Sequence, residues 1–211
     1  MSDRNTILNA INASRPGPKP LPQILHRPLV STMQEAGNDL LELFYRSFVA
    51  NGGEVIRFDT LEAVQRFIHE QRQSGLKLIN AIPEMDDTDS IPDRIVQLEE
   101  TDTLFISGAP AVAENGAIWF DESMIPLRIL PFITQELFVL VHPANIVRDM
   151  HEAYERIRID ATGFGVFIAG PSKTADIEQS LVVGAHGAVR MVVMLLTVED
   201  KVKPAGISSS K

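Results

Sequence analysis

The sequence predicts an α/β protein with a largely parallel sheet flanked by helices. Strand-like segments alternate with helix-like ones along most of the chain, the pattern that builds parallel sheets. Short apolar runs, Val166–Ala169 and Met191–Leu196 among them, read as buried strands. Glycines close the helical segments, as Gly52-Gly53 and Gly75 do.

The elements follow in order. Residues 4–13 suit a short helix with Ile7, Leu8 and Ile11 on one side. Pro16, Gly17, Pro18, Pro20 and Pro22 then form an extended arm, because proline lacks a backbone donor and clashes inside a helix. From Thr32 to Ala50, Leu40, Leu41, Phe44, Phe48 and Val49 recur at helical spacing. Glu54–Phe58 reads as a strand. Leu61–Gln73 is the next helix, with Ala63, Val64, Phe67 and Ile68 inward, and Leu76–Ala81 is the strand after it. Pro83–Asp93 carries Glu84, Asp86, Asp87, Asp89 and Asp93, but it lacks the glycine and terminal glutamate of a calcium loop and reads as a solvated acidic loop.

Thr103–Ser107 and Glu136–Val141 are strands, and Val147–Ile159 is a helix carrying Met150, Ala153, Tyr154 and Ile157 at helical intervals. After Val166–Ala169 the chain turns at Gly170-Pro171. Thr174 then caps a helix that places Ile177 and Leu181 on one face and stops at Gly184. His186-Gly187 turns into the last strand, and a polar tail starts at Lys201. With no internal repeat and no linker after residue 30, the organisation is an N-terminal helix and proline-rich arm (1–30), a single α/β domain (31–200) and a polar tail (201–211).

Composition narrows the function. The 211 residues are 45% hydrophobic and 22% charged, as in ordinary globular proteins. A formal charge of -9 disfavours nucleic acid or an anionic membrane as the main partner, while leaving room for a small anionic ligand in a local basic pocket. The chain has no cysteine, so it has no disulfide, no thiolate nucleophile and no Cys-ligated iron–sulfur cluster. Polar residues interrupt the N-terminus, and no apolar run reaches the roughly 20 residues of a membrane span. The expectation is a cytoplasmic protein.

Three groups carry candidate chemistry. Glu114-Asn115-Gly116 lies between apolar segments, so Glu114 is either a solvated neighbour of an Asn-Gly turn or a base, nucleophile or ligand-binding group. Ser172, Lys173 and Thr174 offer hydroxyls, an ammonium and backbone donors suited to a carboxylate or phosphate. Asp176 and Glu178 already place negative charge at that predicted helix start, which leaves a plain cap-and-dipole arrangement open. His186 is a candidate general base near neutral pH or a structural turn residue, and the same two readings apply to His142. No histidine pair at metal-ligand spacing occurs, so no metal is expected. Neither a phosphate-binding P-loop nor a dinucleotide-type glycine motif is present in the right context.

Gly170-Pro-Ser-Lys-Thr-Ala-Asp-Ile-Glu178, with Gly184-Ala-His-Gly187 after it, resembles the signature of the LUD domain family, the lactate-utilization proteins of the LutC/YkgG type. Ala113-Glu-Asn-Gly-Ala-Ile118 is similar to the family's Ala-Glu-Thr-Gly-Thr-Ile segment, with Asn115 in place of threonine. The resemblance implies a fold related to the NagB/RpiA/CoA-transferase group. It implies a subunit of an iron–sulfur system oxidising L-lactate to pyruvate. Because the chain lacks cysteine, the clusters are expected on partner subunits. Under that reading Glu114 and His186 are catalytic, and Asn115, Ser172, Lys173, Thr174, Asp176, Glu178 and Gly187 bind lactate or a similar small anion. Class I CoA transferases carry a nucleophilic glutamate in a Ser-Glu-Asn-Gly segment, which Glu114-Asn115-Gly116 resembles. That likeness supports an alternative, a stand-alone acyl- or CoA-transferase-like enzyme, and a non-catalytic binding subunit is a third reading. Self-association stays open.

Overall fold

A computed structural model of the protein holds a sheet of five parallel strands, in the spatial order Glu54–Phe58, Arg190–Leu196, Glu136–Val141, Thr103–Ser107 and Leu78–Asn80. The structure describes residues 3–14, 40–91, 98, 101–158, 163–175, 181–183 and 187–196. The chain divides into two compact units, Met1–Gly37 and Asn38–Lys211. Within the first lies α1 (Asp3–Ser14), the helix expected from Ile7, Leu8 and Ile11. The proline-rich arm and the tail from Lys201 lie outside the described residues, as do residues 32–39 of the helix expected from Thr32.

The second unit opens with α2 (Leu40–Ala50), followed by β1 (Glu54–Phe58), α3 (Leu61–Gln73), β2 (Leu78–Asn80) and β3 (Thr103–Ser107). Further along come β4 (Ala111–Val112), β5 (Ile118–Asp121), α4 (Leu130–Ile133), β6 (Glu136–Val141) and β7 (Ile146–Val147). The last elements are α5 (Met150–Arg156), β8 (Gly165–Ile168), β9 (Lys173–Ala175), β10 (Leu181–Val183) and β11 (Arg190–Leu196).

Helices cover both faces of the five-stranded sheet, which explains why its central strands are apolar at nearly every position. One face packs Phe44 and Phe48 of α2 against Leu104, Ile106, Val139 and Val193. The other packs Val64 and Ile68 of α3 against Phe105, Phe138, Val192 and Met194. Phe105 and Phe138 sit opposite each other in the β3–β6 register and stack with ring centroids 4.7 Å apart. α3 starts where Thr60 accepts the Ala63 N–H at 3.2 Å, a side-chain cap for an orphan donor. Among the described helices none is long and apolar enough to cross a membrane.

A second, mixed sheet of order β7-β4-β5-β8 packs beside the first, and the sequence did not announce it. β4 and β5 form an antiparallel pair around Glu114-Asn115-Gly116, and β8 runs antiparallel to β5. The segment expected as a buried strand over Val166–Ala169 is therefore Gly165–Ile168 in this smaller sheet, with each residue partly exposed. The helix expected over Val147–Ile159 is shorter, Met150–Arg156. Ile146 and Val147 instead pair with Ala111 and Val112, and Asp149 caps the helix by accepting the Glu152 N–H at 3.0 Å.

The expected helix from Thr174 to Gly184 is overturned. Lys173–Ala175 and Leu181–Val183 pair as an antiparallel two-stranded ladder, with Thr174 opposite Val182. Thr174 is thus paired within a strand instead of capping a helix. The Leu-Val-Val run favours this outcome, because β-branched side chains lose rotamer freedom in a helix and fit a pleated strand. Residues 176–180 and 184–186 lie outside the described residues.

Candidate functional site

The end of α2 is where the two sequence motifs meet. Asn51 Nδ2 donates to the Asn115 carbonyl at 2.7 Å, and Ser47 Oγ donates to the Glu114 carbonyl at 3.3 Å. Gly116 takes φ +70°, and a β-carbon there would stand 2.7 Å from the Phe48 backbone. Only glycine lets that turn lie against the helix. The other motif approaches the same helix end from a different direction. A β-carbon on Gly170 would stand 2.8 Å from the Asn51 carbonyl oxygen. Lys173 Nζ lies 3.4 Å from the position a Gly52 β-carbon would occupy, close to the carbonyl end of α2, where a cation is favoured.

Beside this junction a cavity of about 240 Å³ opens at the amino-terminal edge of the central strands. Leu137 near the start of β6 and Met191 near the start of β11 line it, with Ile168 from the end of β8 and Pro131 and Phe132 from α4. Gly170, Ser172, Lys173, Gly187 and Ala188 also line it, and among the described residues Ser172 and Lys173 supply its polar side chains. The Ser172 N–H donates to the Ala188 carbonyl at 2.8 Å, fastening the two ends of the signature segment together. Gly187, at φ +149°, lies so close that a β-carbon there would be 3.2 Å from Ser172 Cβ. Ser172 is half-buried and Lys173 exposed, so the ammonium stands where it can meet an anion without first losing its water.

The structure therefore brings Ser172, Lys173 and Gly187 together, as their grouping in the sequence predicts. Glu114 and Asn115 are not among the cavity-lining residues. The Glu114 carboxylate accepts the Met150 N–H at 3.3 Å, at the first residue of α5, and the Glu114 N–H donates to the Arg148 carbonyl at 3.0 Å. Asn115 Oδ1 accepts the Ala117 N–H at 3.0 Å, the bond of a side chain shaping its own turn. Thr174 follows Lys173 in β9. Asp176, Glu178 and His186 lie outside the described residues. His142 follows β6, and its Nε2 is buried without a hydrogen-bond partner among the described residues. Among those residues, too, no three His, Asp or Glu side chains group to hold a metal ion.

Sequence reasoning missed the walls of the cavity and the charges that fix its floor. Pro131 and Phe132 belong to the apolar run Leu130–Ile133, which stands outside any strand and was the available signal. Arg190 opens β11 by bridging its two neighbouring strands. Its Nε and Nη2 each reach Glu54 at 2.8 Å, and Nη1 reaches Glu136 at 2.9 Å. The two hydrogen bonds from Arg190 hold the Glu54 carboxyl below the usual carboxylate range, and the same pairing holds the guanidinium above its ordinary value. Met191, the next residue, is thereby set at a fixed height on the cavity floor.

Comparison with known proteins agrees with this architecture. "Lactate utilization protein C" of Bacillus pumilus is 35% identical over 91 residues, 40% of this chain and 38% of that protein. Its counterpart in Bacillus subtilis is 30% identical over 117 residues, 53% of this chain and 49% of that protein. The chain thus spans less than half the length of these curated relatives. A crystal structure of a DUF162 family protein from Deinococcus radiodurans superposes with a TM-score of 0.56 at 16% identity, covering 74% of this chain and 96% of that one, and so shares the fold. The family model described as "LUD domain" matches residues 29–196, most of the chain, and the protein belongs to the LUD domain family.

Proposed function

We propose that this chain serves in lactate utilization as a binding and organising subunit of a system that oxidises L-lactate to pyruvate. The family and the names of its relatives support the pathway. One observation supports a binding role: Ser172 and Lys173 of the signature stand together on a cavity at the amino-terminal edge of two central strands. A lysine ammonium and a serine hydroxyl give a carboxylate one charge-assisted and one neutral hydrogen bond. Proton transfer is assigned to His186, which adjoins Gly187 in sequence. Taking lactate to pyruvate releases a pair of electrons with two protons. Thiolate-held clusters have no ligands in a chain without cysteine, so the electrons are assigned to iron–sulfur centres on partner subunits.

The transferase alternative requires the Glu114 carboxylate to attack an acyl carbon. That carboxylate is engaged with the Met150 N–H and stands apart from the cavity lining, so no observation favours the alternative.

The test is growth of the native host on L-lactate as sole carbon source, with its own copy deleted and replaced by wild type, Ser172→Ala or Lys173→Glu. Wild type should restore growth and Lys173→Glu should fail, with Ser172→Ala between them. Undiminished growth of the deletion strain would remove the lactate role. Full rescue by both variants would remove the cavity from it. Affinity purification from the same lactate-grown cells should recover cysteine-rich iron–sulfur partners, and recovery of this chain alone would exclude the complex.

A further inference from the structure

We infer that the cavity beside Ser172 and Lys173 takes a carboxylic acid with a bulky apolar side chain, a branched or aryl 2-hydroxy acid, in preference to lactate itself. The inference rests on the reading that this cavity is the chain's ligand site.

The lining divides sharply by chemistry. Among the described residues its polar side chains are Ser172 and Lys173, from one short segment. Opposite them the surface is Pro131, Phe132, Leu137, Ile168 and Met191. Leu137 and Met191, each 1% exposed, belong to the hydrophobic core beneath the cavity, and Ile168 and Phe132 present accessible apolar surface above them. A carboxylate cannot move to that surface without losing water and gaining no donor, so its place is at Ser172 and Lys173. Whatever carbon follows the carboxyl group then lies against Ile168 and Phe132, over Leu137 and Met191.

Size decides how much carbon that is. The cavity measures about 240 Å³. An apolar cavity of about 150 Å³ already admits benzene. Room therefore remains for a carboxyl group and a side chain of about four to seven carbons. Lactate brings a single methyl and leaves the apolar wall facing water. Each further methylene buried against such a wall strengthens binding about fourfold. Phe132, 38% exposed at the rim, adds an aromatic surface for the outer part of a large side chain.

Isothermal titration calorimetry on the full chain checks this with three acids: L-lactate, 2-hydroxy-4-methylpentanoate and 3-phenyllactate. Affinity should rise at least tenfold from lactate to the larger acids. Lys173→Glu should abolish binding of all three, and Phe132→Ala should narrow the ratio between 3-phenyllactate and lactate. Thermal melting confirms that both variants fold, as expected for side chains that reach solvent. Lactate binding as tightly as the larger acids would overturn the size preference and leave the cavity as the site. Absence of binding by all three at millimolar concentration would overturn both. Larger acids that bind equally well to wild type and to both variants would place their site elsewhere and overturn the inference.

Discussion

The side-chain amide of Asn51 donates to the backbone carbonyl of Asn115 across 2.7 Å, joining the end of α2 to a turn 64 residues away in sequence. The same residue's carbonyl sits against Gly170, so one helix end meets both turns. Asn51→Ala removes a tertiary hydrogen bond at a partly exposed position. Urea unfolding should show a loss of about 0.5–1.5 kcal/mol, the usual net value of one such bond. A loss below 0.2 kcal/mol would mean that water replaces the amide and that the turn is held by other contacts.

Backbone fit makes a stronger prediction at Gly116. Alanine there meets two penalties, a positive φ and a β-carbon 2.7 Å from the Phe48 backbone. Gly75 is the matched control, because it has φ +89° with nothing within 4 Å of the added carbon. Gly75→Ala should cost about 1–2 kcal/mol from conformation alone. Gly116→Ala should cost distinctly more, or leave the chain unfolded, since backbone cannot swing aside as a flexible side chain can. Equal melting temperatures for the two variants would show that the turn moves away from α2 without penalty.

Much of this fold was legible because local signals and tertiary structure agree. β1, α3, β3 and β6 fall at the residues their patterns predict, each either strongly periodic or continuously apolar. Disagreement arose where an element is short. Thr174, followed at a distance by Ile177 and Leu181, offers a helix cap and helical spacing, yet Leu181–Val183 pairs with Lys173–Ala175. A few residues give periodicity too little length to choose between helix and hairpin. β7, two residues long, exists because it finds β4 across the fold. The site was legible in part for the same reason. Ser172, Lys173 and Gly187 share a local motif, whereas Leu137 of β6 and Phe132 of α4 reach the cavity through the tertiary arrangement, which no short motif encodes.

The charge bridge at the start of β11 gives a pH signature. Glu54 titrates below its ordinary value in the folded protein because Arg190 hydrogen-bonds its carboxylate. A depressed carboxylate stabilises the fold above its unfolded value, about 4.5, and that stabilisation disappears as pH falls through the lower folded value. Glu54→Gln should therefore be less stable than wild type at pH 7, with the gap unchanged down to about pH 5 and closing toward pH 3. Glu54 is 54% exposed, so solvent screening limits the gap to about 0.2–1 kcal/mol. Denaturant unfolding at each pH reads it directly. A gap that persists at pH 3 would have to come from packing rather than from charge.

Two carboxylates serve the start of α5, and substitutions there separate structure from function at Glu114. Asp149 accepts the Glu152 N–H at 3.0 Å, and Glu114 accepts the Met150 N–H at 3.3 Å. Both satisfy donors that the first helical turn cannot use internally. Asp149→Ala should cost about 1 kcal/mol, the typical loss for a helix cap. Glu114→Gln keeps an oxygen for the Met150 N–H and loses only the charge, so its cost should stay under about 0.5 kcal/mol. That mild effect on folding makes Glu114→Gln the informative variant for chemistry. If Glu114 positions α5, the glutamine variant should support lactate-dependent growth as wild type does, while Glu114→Ala, which leaves the donor unpaired, weakens stability and growth together. Loss of growth in a stable Glu114→Gln protein would instead require the charged carboxylate itself, and would assign Glu114 a role in the reaction that its contact with α5 does not explain.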